Sequence, residues 1–153
     1  MKEIHFYGHE SKGIIAGLIR WKIGSAINHI SIGANNYVFE STALSNGVTV
    51  SSRKRDDIIM KQSLVVTDDE YEKIINYLDD SVGKEYDFSA FVSFALNKKR
   101  QNDAKVFCNE FAAGILDIIS VDYKISRNLA SPKDFMYFIK GLKQGLLRAQ
   151  NDK

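Results

Sequence analysis

Hydrophobic and polar positions along this chain switch between a two-residue and a helical period, and the switching predicts an α+β order of elements. Residues 3–7 alternate as a short strand with Ile4 and Phe6 on one face, closed by Gly8. Ser11 can cap a helix from Lys12 that carries Ile14, Ile15, Leu18, Ile19 and Trp21 and stops at Gly24. Its apolar positions are too dense for one narrow stripe, so much of its surface is expected to be covered. Strand patterns return at 28–40, 47–51 and 58–66. Thr67-Asp-Asp-Glu70 is a capping box opening a helix through Ile74, Ile75 and Leu78, with its acids where the helix dipole favours them. An aromatic-rich helix over 89–96 and a solvated basic loop at Lys98-Lys99-Arg100 follow. A helix beginning at Cys108 has Phe107, Phe111, Ile115, Leu116, Ile118 and Ile119 as its apolar stripe. After a polar loop at 121–129, Ser131 caps a last helix, Pro132 takes its first position, and Phe135, Phe138, Ile139, Leu142 and Leu146 recur at helical spacing.

The stretch 28–40 reads as two strands around a Gly-Ala-Asn-Asn turn. With the turn centred on Ala34-Asn35, Ile32 faces Tyr37, Ile30 faces Phe39 and His29 faces Glu40. Ile30, Ile32, Tyr37 and Phe39 then share a face that can enter the core, and His29, Ser31, Val38 and Glu40 share the other. A two-residue loop at Asn35-Asn36 would set His29 against Thr42 instead. The first register is preferred because it keeps the apolar face intact, and in it an imidazole lies directly opposite a carboxylate.

Composition narrows the class without naming it. The 153 residues, 44% hydrophobic and 26% charged, suit a single domain spanning 1–153 with one core. A net charge of +2 with no basic, aromatic-interleaved face gives no reason to expect nucleic acid. One cysteine excludes an internal disulfide. No apolar leader and no run long enough to span a bilayer are present, so the expected location is cytoplasmic. His5 and His9 have no Cys or Asp nearby to complete a ligand set, and neither a metal nor a cofactor is expected.

The remaining candidate chemistry centres on Cys108. A lone Cys in apolar surroundings suits a small buried hydrophobe. A thiol in the first turn of a helix also faces unpaired N–H groups and the positive dipole end, which predicts a lowered pKa. With His29 and Glu40 it makes the parts of a thiol nucleophile system: Cys108 attacks a carbonyl carbon, His29 carries the proton, and Glu40 fixes the imidazole tautomer. The backbone N–H of Cys108 would help hold the oxyanion.

A Gly-terminated strand, Asn-His-Ile-Ser-Ile, a hairpin to Val-Phe-Glu, then Gly-Lys-Glu-Tyr-Asp, Phe-Cys-Asn-Glu-Phe and Ser-Pro-Lys-Asp-Phe follow one another in this order. Over residues 4 to 136 the chain resembles the circularly permuted branch of the NlpC-type papain-like superfamily, the YiiX/YaeF-like amidases. That family places a Ser-His strand first, a polar third member on the next strand and a Cys-Ser-Glu-like helix start late. The resemblance implies a permuted papain-like α+β fold, with a small antiparallel sheet against the Cys-bearing helix and flanking helices. By position it makes His29 the base, Glu40 the orienting residue and Cys108 the nucleophile, with Tyr86 and Asn109 as substrate-binding positions. Asn28 and Asn109 depart from the family's serines. The activity implied is a cysteine amidase or peptidase acting on a peptide, amide or lipid-like small substrate. An acyltransferase or thioesterase acting on a lipid or ester, and a papain-like domain that binds without catalysis, are the alternatives.

Overall fold

The structure is a computed structural model of the chain, and it describes residues 1–53, 55–89, 105–106, 108–121 and 131–151. The aromatic-rich helix and basic loop expected over 89–104, and the polar loop after 121, fall almost wholly outside those residues.

Among the described residues the chain order is β1 (Lys2–His9), α1 (Ile14–Ile23), β2 (His29–Ala34), β3 (Tyr37–Thr42), β4 (Gly47–Ser51), β5 (Ile58–Val66) and α2 (Asp68–Ser81). Then come β6 (Glu85–Tyr86), β7 (Lys105–Val106), α3 (Cys108–Ile118) and α4 (Pro132–Asn151). The strands form one sheet ordered β5-β1-β2-β3-β4-β6-β7, antiparallel except for the short β6–β7 pair. The fold is α+β.

Alternation decides which face of this sheet is covered. Ile4, Phe6, Ile30, Ile32, Phe39, Val48, Leu64 and Val66 point to one side and merge with Ile74, Leu78, Phe111, Ile115, Phe135 and Ile139 in a single core. On that side α3 lies on β2 and β3, α4 on β5 and β1, and α2 on β1 and α3. Helices α2 and α4 begin where their caps say. Thr67 and Glu70 make the reciprocal capping box, with Glu70 N–H to Thr67 Oγ1 at 3.2 Å and Thr67 N–H to Glu70 Oε2 at 2.8 Å. Ser131 caps α4 through Asp134 N–H at 3.1 Å. Gly114 lets α3 sit close on α2: a Cβ there would meet Tyr77 Oη at 2.3 Å, and that hydroxyl donates to Phe111 O at 3.0 Å.

Four local expectations change. The β2–β3 register pairs Ser31 with Glu40, Ile32 with Phe39 and Ala34 with Tyr37. The loop is therefore Asn35-Asn36, both at positive φ (49° and 67°), as a type I′ turn requires to match strand twist. Moving the register by two residues leaves every side chain on its face, so the apolar pattern could not choose between the two pairings. Tyr37, expected in the core, ends beside the turn and is half-exposed. Strand β1 does not close at Gly8 but runs to His9, directly opposite His29. Ser11 does not cap α1; Gly13 takes that position with no side-chain bond. Gly24 ends the helix in the left-handed region, its N–H on Arg20 O.

Candidate active site

Helix α1 does not lie on the core face. It crosses the end of the sheet where β2 starts, and Ile19 packs there with Tyr86 and Cys108. Asn28 fixes this placement. Its Oδ1 accepts from Ser11 N–H at 2.8 Å and its Nδ2 donates to Ser11 O at 2.9 Å, so one buried amide ties the β1–α1 connection to the start of β2. Between α1, β2, the β3–β4 turn and the first turn of α3 lies a cavity of about 240 Å³. His29, Cys108, Tyr86 and Arg55 reach it, and much of the remaining wall is Ile15, Ala16, Ile19, Ala43, Leu44 and Phe88. A cleft beside the sulfur is expected to be walled in part by residues 86–94; Tyr86 and Phe88 do line the cavity, and residues 90–94 lie outside the described residues.

His29 and Glu40 are diagonal neighbours in the sheet, a separation long side chains still bridge. Their bond is direct, Nε2 to Oε2 at 3.0 Å. Arg55 Nη1 donates to the same oxygen, also at 3.0 Å. Glu40 pays for burial, yet the hydrogen bond and charge of His29 with the Arg55 charge outweigh that cost and hold it down to about 2. An ionised carboxylate only accepts, so Nε2 carries the hydrogen and the basic lone pair of a neutral His29 is on Nδ1. That tautomer is the one a general base needs.

Cys108 is 2% exposed, and its surroundings reverse the expected pKa. Burial pushes the thiol up to about 12, although N–H groups of Ile30, Asn109 and Cys108 itself favour thiolate. Desolvation wins because α1 and Tyr86 close over the helix start, which the sequence of α3 alone does not reveal. Cys108 and His29 share the cavity, but among the described residues no hydrogen bond joins them. The thiol's hydrogen bond runs to Asn109 Oδ1 at 3.9 Å. Of the two expected substrate-binding positions, Tyr86 lines the cavity, its hydroxyl pushed upward first by burial and then by Cys108, whereas the buried Asn109 stands behind the sulfur and is not part of the wall.

Four residues that the sequence did not assign to the site complete it. His9 is fully buried with its ring centroid 5.3 Å from that of His29. Its Nδ1 bonds Asp57 Oδ1 at 2.8 Å and its Nε2 bonds Ser31 Oγ at 2.7 Å. Arg55 grips Asp57 through Nε (2.9 Å) and Nη2, and reaches Ser11 Oγ at 2.7 Å. Burial first, then His29, lowers His9 to about 4, so the ring is neutral at neutral pH: Nδ1–H donates to Asp57 and Nε2 accepts from the Ser31 hydroxyl. Ser31, though set against His9 and Asp57 in the manner of a serine triad, is fully buried and does not reach the cavity, so it serves as a fixed donor. Only the density of both charge signs in residues 53–57 hints at Arg55 and Asp57 in the sequence.

Compared with known proteins, the chain matches no family model and no curated protein.

Proposed function

We propose that the protein is a thiol-dependent hydrolase of permuted papain-like fold that cleaves an amide bond through a thioester on Cys108. The observation that carries the reading is the shared cavity: a thiol at a helix start and an imidazole already oriented by a carboxylate open onto the same space. The high thiol pKa defines the order of events. The thiol keeps its proton at rest, and His29 Nδ1 takes that S–H proton as sulfur attacks the carbonyl carbon. The imidazolium then returns that proton to the leaving amine, and water repeats the cycle on the thioester. Contacts of this kind tighten when substrate fills the site, which is how a thiol and base without a hydrogen bond at rest can form one in the reaction. Backbone N–H groups at the start of α3 stabilise the oxyanion.

The apolar wall formed by Ile15, Ile19, Leu44 and Phe88 favours a second reading on the same residues, an acyltransferase or thioesterase that takes an apolar acyl group. Turnover of matched amides and esters, with and without an added amine or alcohol acceptor, separates the two. In either case Cys108→Ala and His29→Ala each abolish turnover without adding, and Glu40→Gln leaves a residue of it because an amide oxygen still accepts Nε2–H. Full turnover by a folded Cys108→Ala protein would take the thiol out of the reaction and overturn both readings.

A further inference from the structure

Glu40, Arg55, Asp57, His9 and His29 form one continuous chain of hydrogen-bonded charge beneath the cavity. They come from β1, β2, β3 and the β4–β5 connection, so the sheet's topology, not local sequence, assembles them. With both rings neutral, two carboxylates and one guanidinium leave a single negative charge. A proton on His29 brings the cluster to zero. We propose that Arg55 is a positioning residue for the His29–Glu40 pair. By dividing its guanidinium between Glu40 and Asp57, it sets how strongly the cluster holds a proton, and thereby the pH window in which His29 can exchange one with Cys108.

The geometry is tight enough for this. Arg55 Nη1 and His29 Nε2 each lie 3.0 Å from Glu40 Oε2, so they are at most about 6 Å apart, where one charge still acts strongly on another. His29 contacts His9 from β1 and Glu40 from β3 directly, and it shares the cavity wall with Arg55 from the β4–β5 connection, Cys108 from α3, Tyr86 from β6 and Lys12. Of these, Arg55 and Lys12 are the permanent cations, and Arg55 is the one hydrogen-bonded to the carboxylate that His29 uses. Without it the cluster carries two negative charges and holds protons on its imidazoles to higher pH, which denies the thiol its base. Asp57 acts with the opposite sign. In the proposed reaction the S–H bond breaks, an N–H bond forms at His29 Nδ1, and the cluster reaches neutrality as the sulfur's electron pair goes to the carbonyl carbon.

The inference takes its functional meaning from the thiol-hydrolase reading, but its test reads histidine charge and is independent of turnover. The chain has three histidines, and His5, on β1 and bonded to Ser63 of β5, serves as internal control. Titration of the ring carbon-bound protons by NMR is compared in wild type, Arg55→Gln, Asp57→Asn and Arg55→Lys. In Arg55→Gln the His9 and His29 midpoints should move to higher pH by about one unit or more. In Asp57→Asn they should move to lower pH, and in Arg55→Lys they should stay near wild type, with His5 unmoved throughout. If Arg55→Gln fails to fold, Arg55→Met, which keeps the apolar stem without the charge, carries the test with the same expected rise. Midpoints that stand still, or that move the same way when either charge is removed, overturn the proposal; a purely structural role predicts one of those results. Histidines that shift as stated beside a fully active Cys108→Ala protein would sink the hydrolase reading and leave the charge cluster standing, and the reverse pattern would do the opposite.

Discussion

His9 should make the fold acid-sensitive at an unusually high pH. Its ring is fully buried, faces His29, and is neutral in the folded protein because burial lowers it from 6.5 to about 4. Unfolding exposes it to water, where it binds a proton below 6.5. Between those values the unfolded state holds more protons than the folded one, so stability rises with pH and is lost as pH falls from 6.5 toward 4. At about 1.4 kcal/mol per pH unit, the drop assigned to His9 is about 3 kcal/mol, a large share of the 5–15 kcal/mol that holds a typical domain together. Urea unfolding at half-unit steps from pH 7 to 4, on wild type and His9→Gln, isolates it, because the carboxylates common to both proteins cancel in the difference. The wild-type curve should fall by about 3 kcal/mol more than that of His9→Gln over this window. Parallel curves would mean that His9 is solvated or charged in the fold, and the neutral tautomer assigned to it would be wrong.

Two further changes probe the scaffold. Gly114→Ala drives a methyl into the Tyr77 ring and should lower stability by about 1–2 kcal/mol in urea unfolding; an unchanged midpoint would show that Tyr77 swings clear of α3. Asn36→Gly relieves a positive φ in the type I′ turn and should raise stability by about 0.5 kcal/mol, whereas a loss would favour a register in which residue 36 belongs to a strand.

What the sequence disclosed and what it hid divide along the range of the interactions. The Thr67–Glu70 box, the Ser131-Pro132 start and the Gly24 stop are written within four residues of where they act, and all three appear in the fold. The faces of β2 and β3 follow from alternation alone, so the pairing of His29 with Glu40 was legible even though its register was not. Register depended on the backbone of Asn35 and Asn36, whose tolerance of positive φ is a turn signal that periodicity does not weigh. The charge state of Cys108 was illegible for another reason. It depends on α1 and Tyr86, which are distant in sequence and cover the thiol, and burial then overrides the helix dipole. His9 looked like a loop residue because Gly8 reads as a stop. The β1–β2 pairing instead runs unbroken through Gly8 and sets His9 opposite His29, while the β1–β5 pairing shifts register at the same two residues.

The central claim is that Cys108 and His29 act as one nucleophilic unit inside the cavity, and covalent trapping tests it most directly. Wild type, Cys108→Ala and His29→Ala are exposed to p-nitrophenyl esters and p-nitroanilides of graded acyl length, quenched in acid, and measured by intact mass and peptide mapping. The account predicts an added acyl mass on Cys108 in wild type, none in Cys108→Ala, and none or a greatly slowed adduct in a folded His29→Ala protein. No adduct with any member of the panel, or an adduct that forms equally fast without His29, would contradict it.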